Sequence, residues 1–505
     1  MHATSEPLPP TGVVDSFRFA FSSPTRLRRE VFGGLAVALA LIPEVLSFSI
    51  VAGLDPKVGL YASVIMAISI AFTGGRPAMI SAAAGAVALV IAPLSYSHGV
   101  NYVVAAVLLA GVLQLVFAAL GVARLMRFIP RSVMTGFVNA LGIMMFAAQF
   151  GDIYRVPWQV YPLVGAGLAV MVLWPKLTHV VPAPLVTIVV VTALALLTGW
   201  QVPTVADKGE LPTSLPGLML PDVPLTLDTL TLIAPYAFGV ALVGLMESLL
   251  TAKLVDDITD THSDKTRESY GQGLGNIASA LFGGMGVCAM IGQTMINVKG
   301  AGGRTRLSTL LTGVFLLILV VLFGEAVGAI PMAGLVAVML VIAGTTVNWH
   351  SLHPRTLKLM PLSETVVMLV TVVGMVATHN LAVGVIAGVV AAMVAFARRV
   401  AHVVEVTKET GTSRDGEDAG TVTYRVTGQL FFASSNDLAY SFDYTDPSTT
   451  VVIDLSAAQV WDASTVATLD AVQAKFAERG VNVTIYGLDP LSSQRLARLS
   501  GRLGD

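Results

Sequence analysis

About fourteen apolar runs recur between Val31 and Val400. A run that crosses or enters a hydrocarbon core about 30 Å thick has to satisfy its own backbone hydrogen bonds, which leaves α-helices as the building material. The runs are Val31–Val51, Val58–Thr73, Ala78–Pro93, Asn101–Gly121, Ile129–Phe150, Tyr161–Trp174 and Val180–Trp200. After a polar link holding Asp207, Lys208 and Pro221 come Leu232–Leu254, Glu268–Phe282, a short one near Val287–Val298, Leu307–Val327, Ile330–Val347, Leu362–Ala377 and Leu381–Phe396. Several are too short to span alone. With 12% charged residues, against about a quarter in soluble domains, the solvent of this part is lipid. The 47 glycines suit helices that must approach closely where no hydrophobic force drives them together.

Charge orients the runs. Alternate threading from a cytoplasmic N-terminus puts Arg26, Arg28, Arg29, Arg76, Arg124, Arg127, Arg131, Lys176, Lys253, Lys265 and Arg267 on one side. Lys299, Arg304, Arg306, Arg355, Lys358, Arg398 and Arg399 fall there too, while only Lys57, Arg155 and Lys208 face the other. That asymmetry is the positive-inside pattern, and it implies an inner (plasma) membrane protein of a bacterium with both termini cytoplasmic. Pro7, Pro9 and Pro10 precede an arginine cluster rather than a cleavable signal, so the first helix is expected to stay. The expected divisions are a cytoplasmic N-terminal segment (1–30), a transmembrane transporter domain (31–400) and a soluble cytoplasmic domain (401–505).

The two halves echo each other. Glu44 (LIPEVLS) and Glu247 (LMESLLT) lie in the first run of each half, followed by Gly74-Gly75 and Gly283-Gly284. After each glycine pair comes Ala-Met-Ile, at Ala78-Met79-Ile80 and Ala289-Met290-Ile291, opening a short run. Seven runs per half is an odd number, so the second repeat is inverted relative to the first.

This pattern locates candidate chemistry. Half-helices beginning near mid-membrane at Ala78, Met79, Ile80 and Ser81, and at Ala289, Met290, Ile291 and Gly292, would aim unpaired amides and positive dipole ends at one centre. Such a centre holds an anion without a buried lysine or arginine; ordinary short tilted helices are the plainer alternative. An ionised carboxylate in the membrane costs ~2.5–3.5 kcal/mol even on the lenient insertion scale, so Glu44 and Glu247 read as coupling-ion residues, with packing through protonated acids as the alternative. Pro43 loosens the backbone before Glu44, and Thr251 shares a helix face with Glu247, where the two could hold a proton or a sodium ion. Gln293, Thr294 and Asn297 suit interhelical glue as well as ligand contact.

Other features carry less. Cys288 is the single cysteine, which rules out an intrachain disulfide and suits core filling. Asp256, Asp257, Asp260 and Asp264 look like a metal cluster but stand among Lys253, Lys265 and Arg267, so a solvated loop or a contact with the soluble domain is expected, with no metal or other cofactor. His350 and His353 read as surface residues. No Walker lysine loop supports ATP-driven transport, no basic footprint suits nucleic acid, and no enzymatic activity is expected. Beyond Arg399 a polar linker, Lys408–Gly420, leads to strands Thr421–Phe432 and Val451–Leu455, a helix Asp462–Arg479, a strand Asn482–Leu488 and a helix near Pro490–Leu499. This is one small α/β domain.

The stretches IPEVLSFSIVAGLDPKVGLYAS, GLMESLLTAKLVDDITDT, GQGLGNIASALFGG and INVKGAGGRTRLS resemble the sulfate-permease (SulP) family of anion transporters, which includes the solute-carrier 26 proteins and prestin. The resemblance implies an α-helical polytopic fold of seven plus seven inverted segments in core and gate domains, with substrate between the third and tenth half-helices. It also implies a C-terminal STAS domain and a homodimer. In sodium-coupled bicarbonate members, an acid and a threonine matching Glu247 and Thr251, with backbone matching Ala289–Ile291, form the ion site. This chain has Gln293 where many members have arginine, and a glutamate rather than an aspartate at 247. With the second acid at Glu44, these departures favour proton coupling. In WDAST (Trp461–Thr465), Ala463 and Thr465 break the phosphorylated Asp-Ser-Ser-Gly motif of related STAS domains.

The expected function is therefore proton-coupled symport of a small anion (sulfate, bicarbonate or a C4-dicarboxylate such as fumarate) by alternating access in the lipid bilayer. A sodium-coupled bicarbonate symporter and a passive anion channel are the rivals, and a membrane-anchored sensor is disfavoured by the two intramembrane acids.

Overall fold

The computed structural model describes residues 10–124, 129–178, 181–401, 404–410 and 421–502. Pro7, Pro9, Arg127, the start of the seventh run at Val180 and residues 411–420 of the polar linker lie outside the described residues. The chain forms two compact units, 1–389 and 390–505.

Each expected run has a helix. In order they are α1 (Pro24–Val51), α2 (Pro56–Thr73), α3 (Gly85–His98), α4 (Val100–Ala119), α5 (Arg131–Ala148), α6 (Val160–Leu177) and α7 (Ala183–Thr198). Then come α8 (Leu227–Thr259), α9 (Lys265–Leu281), α10 (Ile291–Met295), α11 (Arg306–Leu322), α12 (Met332–Thr346), α13 (Leu362–Thr378) and α14 (Leu381–Ala401). Among the described residues seven helices are long and apolar enough to cross a membrane by themselves, and α3, α7, α12 and α13 are shorter apolar ones. α10 continues as a π turn over Ile296–Ala301, and the path from there into α11 bends by 116°. Strand β1 (Ser81–Ala83) precedes α3 and strand β2 (Val287–Ala289) precedes α10.

The helices pack as two bundles. α1, α2, α4, α8, α9 and α11 surround the β1–β2 crossing, while α5, α6, α7, α12 and α13 pack on one another. These are the core and gate of a seven-plus-seven inverted repeat. Glycine sets the closest approach in the core: a Cβ on Gly111 of α4 would stand 2.8 Å from the carbonyl oxygen of Gly273 on α9, and one on Gly273 would stand 2.9 Å from that of Gly111. Helix backbones therefore touch directly, as small-residue packing in lipid requires.

The link between α7 and α8 ties the two bundles together at the end opposite the arginine-rich loops. On the gate side, Val205 N–H donates to Ile330 O and Met332 N–H to Pro203 O, and Lys208 pairs with Asp152 at 2.7 Å. On the core side, Lys57 pairs with Glu210, the Tyr61 hydroxyl donates to Ser214 O at 2.6 Å, and Met219 N–H donates to Leu281 O.

The aspartate run is solvated only in part, with Asp257, Asp260 and Asp264 exposed and Asp256 drawn into a charge network. Asp256 lies within α8 and accepts from Arg76 at 2.9 Å and Lys265 at 2.5 Å, while Arg76, buried, also donates to Thr259 and Thr261. Asp264 caps α9 by accepting from Arg267 N–H. Glu268, one turn on, accepts from the Gly75 and Arg76 amides. The charges thus join the α2–β1 corner to the α8–α9 corner, a pairing across some 180 residues that local spacing does not reveal. His350 and His353 are exposed. No group of three metal-binding side chains occurs among the described residues.

Beyond the end of α14, the second unit holds a small α/β domain. Its sheet runs β3 (Glu405–Thr410), β4 (Thr421–Leu430), β5 (Thr450–Val460) and β6 (Asn482–Tyr486), with the first pair antiparallel and the others parallel. Buried Val422, Tyr424 and Val426 alternate along β4 and pack with Ile453, Leu469 and Phe476 beneath helix α15 (Ser435–Tyr440) and helix α16 (Ala463–Ala477), with helix α17 (Pro490–Leu499) last. Strand β3 corrects the expected polar linker, which was to begin at Lys408. It is a charged edge strand (EVTKET) whose Lys408 pairs with Asp443 and Asp446, and charged edges are how open sheets avoid further pairing. Lys408 is held above the usual lysine range by hydrogen bonds to Asp446 and then Asp443. Asp443 is lowered to about 2 by the Thr445 hydroxyl, then by Lys408.

Candidate functional site

The site forms where the two halves meet. β1 and β2 pair antiparallel, Ser81 with Ala289, Ala82 with Cys288 and Ala83 with Val287. This register is symmetric about the Ala82–Cys288 pair, so it equates Ala83 with Ala289 and Ala84, the N-cap of α3, with Met290, the N-cap of α10. The Ala-Met-Ile recurrence is therefore a coincidence: Ala78-Met79-Ile80 precede the strand, whereas Ala289-Met290-Ile291 end it and open the helix.

That register corrects the expected start of the first half-helix. Ala78, Met79 and Ile80 are extended or turn backbone, Ser81 is in β1, and α3 begins at Gly85. Ala78 even sits at φ 61°, a left-handed conformation a side chain adopts at a cost of about 1–2 kcal/mol. Most backbone groups of the eight expected substrate residues are already engaged. Ile80 N–H donates to Thr294 Oγ1 at 3.0 Å, Ala289 N–H to Ser248 Oγ at 3.0 Å, and Met290 N–H to Ile80 O at 2.9 Å. The carbonyls of Ala78 and Met79 accept from Asn297 and Thr309. The Ile291 and Gly292 amides, by contrast, lie in the first turn of α10 before its opening bond, Thr294 N–H to Met290 O. In α3 the equivalent amides are those of Gly85, Ala86 and Val87, ahead of Ala88 N–H to Ala84 O. First-turn amides of this kind have no acceptor within their own helix.

A two-stranded ladder inside a membrane exposes edges that lipid cannot satisfy. Polar side chains close them here. Asn276 of α9 receives Val287 N–H at 2.9 Å and donates to Val287 O at 3.0 Å, and the Ser63 hydroxyl of α2 receives Ala83 N–H at 3.0 Å. Gln272 donates to the Ser81 hydroxyl at 2.9 Å. Sequence spacing does not single out these residues or Ser248, whereas Thr294, which it does single out, receives the Ile80 amide. The available signal was polar side chains buried at helical spacing in α9.

The two half-helix starts differ in access. Gly85 is buried, and a Cβ there would meet the Phe48 ring at 2.9 Å and the Met145 sulfur, on the gate, at 3.3 Å. Gly292 borders open space, with no atom within 4 Å of the point a Cβ would occupy, and Ile291 beside it is exposed.

Both acids are joined to the β2–α10 element. Glu44, buried on α1 one residue after the in-helix Pro43, accepts from Gln293 Nε2 at 2.7 Å. Glu247, on α8, accepts from the Cys288 thiol at 3.1 Å. Cys288 is thus fully buried, as core filling requires, but also a partner of Glu247. The Thr251 hydroxyl donates to the backbone carbonyl of Glu247 at 2.8 Å, so the expected carboxylate–hydroxyl pair shares a turn while the hydroxyl proton goes to the main chain. Asn297 bridges Ala78 O and Ser308, and Thr294 bridges to Ile80, as interhelical glue.

Known proteins share this architecture. Residues 27–163 and 158–371 match the sulfate permease family model, and residues 415–500 match the STAS domain model. The chain is 46% identical over 474 residues, 94% of this chain and 97% of the other, to the Bacillus subtilis (strain 168) protein YbaR, which bears a sulfate transporter's name. It is 25% identical, over 94% of this chain and 90% of the other, to the bicarbonate transporter BicA of Synechocystis. Its fold is similar to the murine anion transporter Slc26a9 in the inward-facing state, with a TM-score of 0.81 at 16% identity over 97% and 90% of the two chains. The transmembrane domain of a cyanobacterial BicA gives 0.63 at 24% identity, covering 72% of this chain and 97% of that one.

Proposed function

The chain belongs to the sulfate permease family, and from that premise we propose that it is a secondary active carrier of a small anion, coupled to protons and working by alternating access. The anion sits at the half-helix starts, on the amides of Ile291 and Gly292 and of Gly85, Ala86 and Val87, while a proton on Glu44 or Glu247 offsets its charge. Carrying the two together lowers the cost of moving charge through a low-dielectric path. The observation that carries this reading is that both membrane acids bond to the element bearing the exposed half-helix start, Glu44 through Gln293 and Glu247 through Cys288.

The substrate class is a small oxyanion or carboxylate: sulfate, bicarbonate or a C4-dicarboxylate. The names borne by YbaR and BicA support the first two. The arginine-rich loops support a cytoplasmic placement of both termini in a bacterial inner membrane, with a cytoplasmic segment to residue 30, the transporter to residue 400 and the STAS domain beyond. The carrier works as a homodimer.

The test is uptake of labelled sulfate, bicarbonate, succinate and fumarate into proteoliposomes under an inward pH gradient, an inward sodium gradient, or neither. Accumulation under the pH gradient alone supports the proposal. Accumulation under sodium alone keeps the carrier and replaces the coupling ion, and equilibration without accumulation identifies a channel or uniporter.

A further inference from the structure

Gln293 occupies the first turn of α10, within the same turn as the Ile291 and Gly292 amides, and is fully buried. Its Nε2 donates to Glu44 Oε1 at 2.7 Å, whereas its own Oε1 is buried with no hydrogen-bond partner. A buried acceptor left unpaired is uncommon and calls for a reason.

We propose that Gln293 is a positioning residue whose amide turns over with the protonation of Glu44, so that proton loading on α1 changes the donors offered to the anion at the start of α10. This rests on the proton-coupled reading above. The chemistry follows from the two groups' inventories. An ionised carboxylate only accepts, so it holds the NH2 face of the amide, as seen. A protonated carboxyl carries an O–H that needs an acceptor, and Gln293 Oε1 is the unfilled acceptor on the same amide. Half a turn about the terminal side-chain bond brings Oε1 to that O–H. The same turn carries Nε2 to the position Oε1 now holds, which frees two N–H donors in the turn that bears the Ile291 and Gly292 amides. The proton comes from water on one side onto a Glu44 oxygen and leaves to water on the other; no other bond is made or broken.

The surroundings leave the switch to few charges. α1 and α8 pack on this half-helix and bring Glu44 and Glu247 to it and to β2; at the π turn that continues it, Arg304 donates to Val298 O, and Glu30 of α1 accepts from the Arg304 and Thr305 amides. On the element itself, Cys288 bonds Glu247, and Lys299 lies in the π turn, exposed. Where an arginine would hold a fixed charge, an amide can present either face.

The experiment compares wild type with Gln293→Met, which keeps length but donates no hydrogen bond and accepts only weakly, and Gln293→Glu, each shown to be monodisperse. Two readouts are taken in proteoliposomes: anion exchange at equal pH, and accumulation driven by a pH gradient. Gln293→Met removes the amide donors together with the switch, so its anion exchange at equal pH is expected to fall and to lose the wild type's dependence on pH, while its gradient-driven accumulation drops about tenfold, one hydrogen bond to a charged group being worth that factor. Gln293→Glu faces one carboxyl with another, so its uptake midpoint is expected to move alkaline by about one pH unit or more. Wild-type accumulation and midpoint in both variants would overturn the inference while leaving proton coupling intact. Absence of pH-driven accumulation in the wild type would overturn both.

Discussion

The thiol of Cys288, on β2, donates to a carboxylate oxygen of Glu247, on α8, at 3.1 Å. A weak donor on an intramembrane acid holds that acid in place without fixing its charge. Cys288→Ser keeps a donor and is expected to retain most uptake, whereas Cys288→Ala removes it and is expected to lower the uptake rate about fivefold, the worth of one modest hydrogen bond. Initial rates of labelled anion uptake by the two variants check this. Equal rates would reduce Cys288 to a packing residue.

The ladder edges give a stability prediction. Asn276 satisfies both backbone groups of Val287, and Ser248 satisfies one of Ala289. Each orphaned buried group costs ~1–3 kcal/mol. Thermal unfolding in detergent is expected to fall clearly further for Asn276→Ala than for Ser248→Ala, and the reverse order would contradict the edge-closing role.

The two half-helix starts are sterically unequal. Gly85→Ala puts a methyl against Phe48 and Met145, and overpacking of ~1–3 kcal/mol at that junction is expected to lower uptake about tenfold. Gly292→Ala enters open space and is expected to stay within about twofold of wild type in folding yield, a loss well below one buried contact. Uptake assays and size-exclusion profiles of both variants check the contrast.

The soluble unit carries a pH signature at its edge strand. The Asp443 carboxyl is lowered to about 2 in the folded state, so its contribution is present above its unfolded value of about 3.9 and is lost as pH falls towards 2. Lys408 is raised, so its contribution is present below about 10.4 and is lost as pH rises past its folded value. Hydrogen exchange of the β3 amides in the full chain is therefore expected to stay protected between those limits, beyond the intrinsic pH dependence of exchange. In Lys408→Ala that protection is expected to weaken throughout. Unchanged protection in the variant would assign β3 stability to its ladder alone.

Length and apolar content locate α1 to α14, because a segment in lipid must bring enough hydrophobic surface to cross; the short helix Val13–Phe21, which packs on α1 and α11, lies outside those runs. Alternation located β4, since Val422, Tyr424 and Val426 face one core. β3 was hidden because its six charged and β-branched residues carry no apolar period. Spacing puts the first half-helix at Ala78 rather than Gly85 because Ala82–Ala86 are all alanine or glycine and the cap, Ala84, makes no side-chain hydrogen bond. Strand and helix look alike in such a run. Glu44 and Glu247 stood out by cost alone, yet their partners did not: Gln293 and Cys288 lie 249 and 41 residues away. The same holds for Asp256, whose partner Arg76 is 180 residues distant. Long-range pairing is set by the fold, and local spacing reads it only after the crossing is known.

The most direct test of the proton-coupled anion reading is luminal pH in proteoliposomes carrying a trapped pH indicator, recorded as sulfate or fumarate enters down its own gradient. The account predicts that the lumen acidifies together with anion entry in the wild type, and that Glu44→Gln and Glu247→Gln lose at least part of that proton movement. Anion entry in the wild type with no proton movement, or full proton movement in both variants, would contradict it.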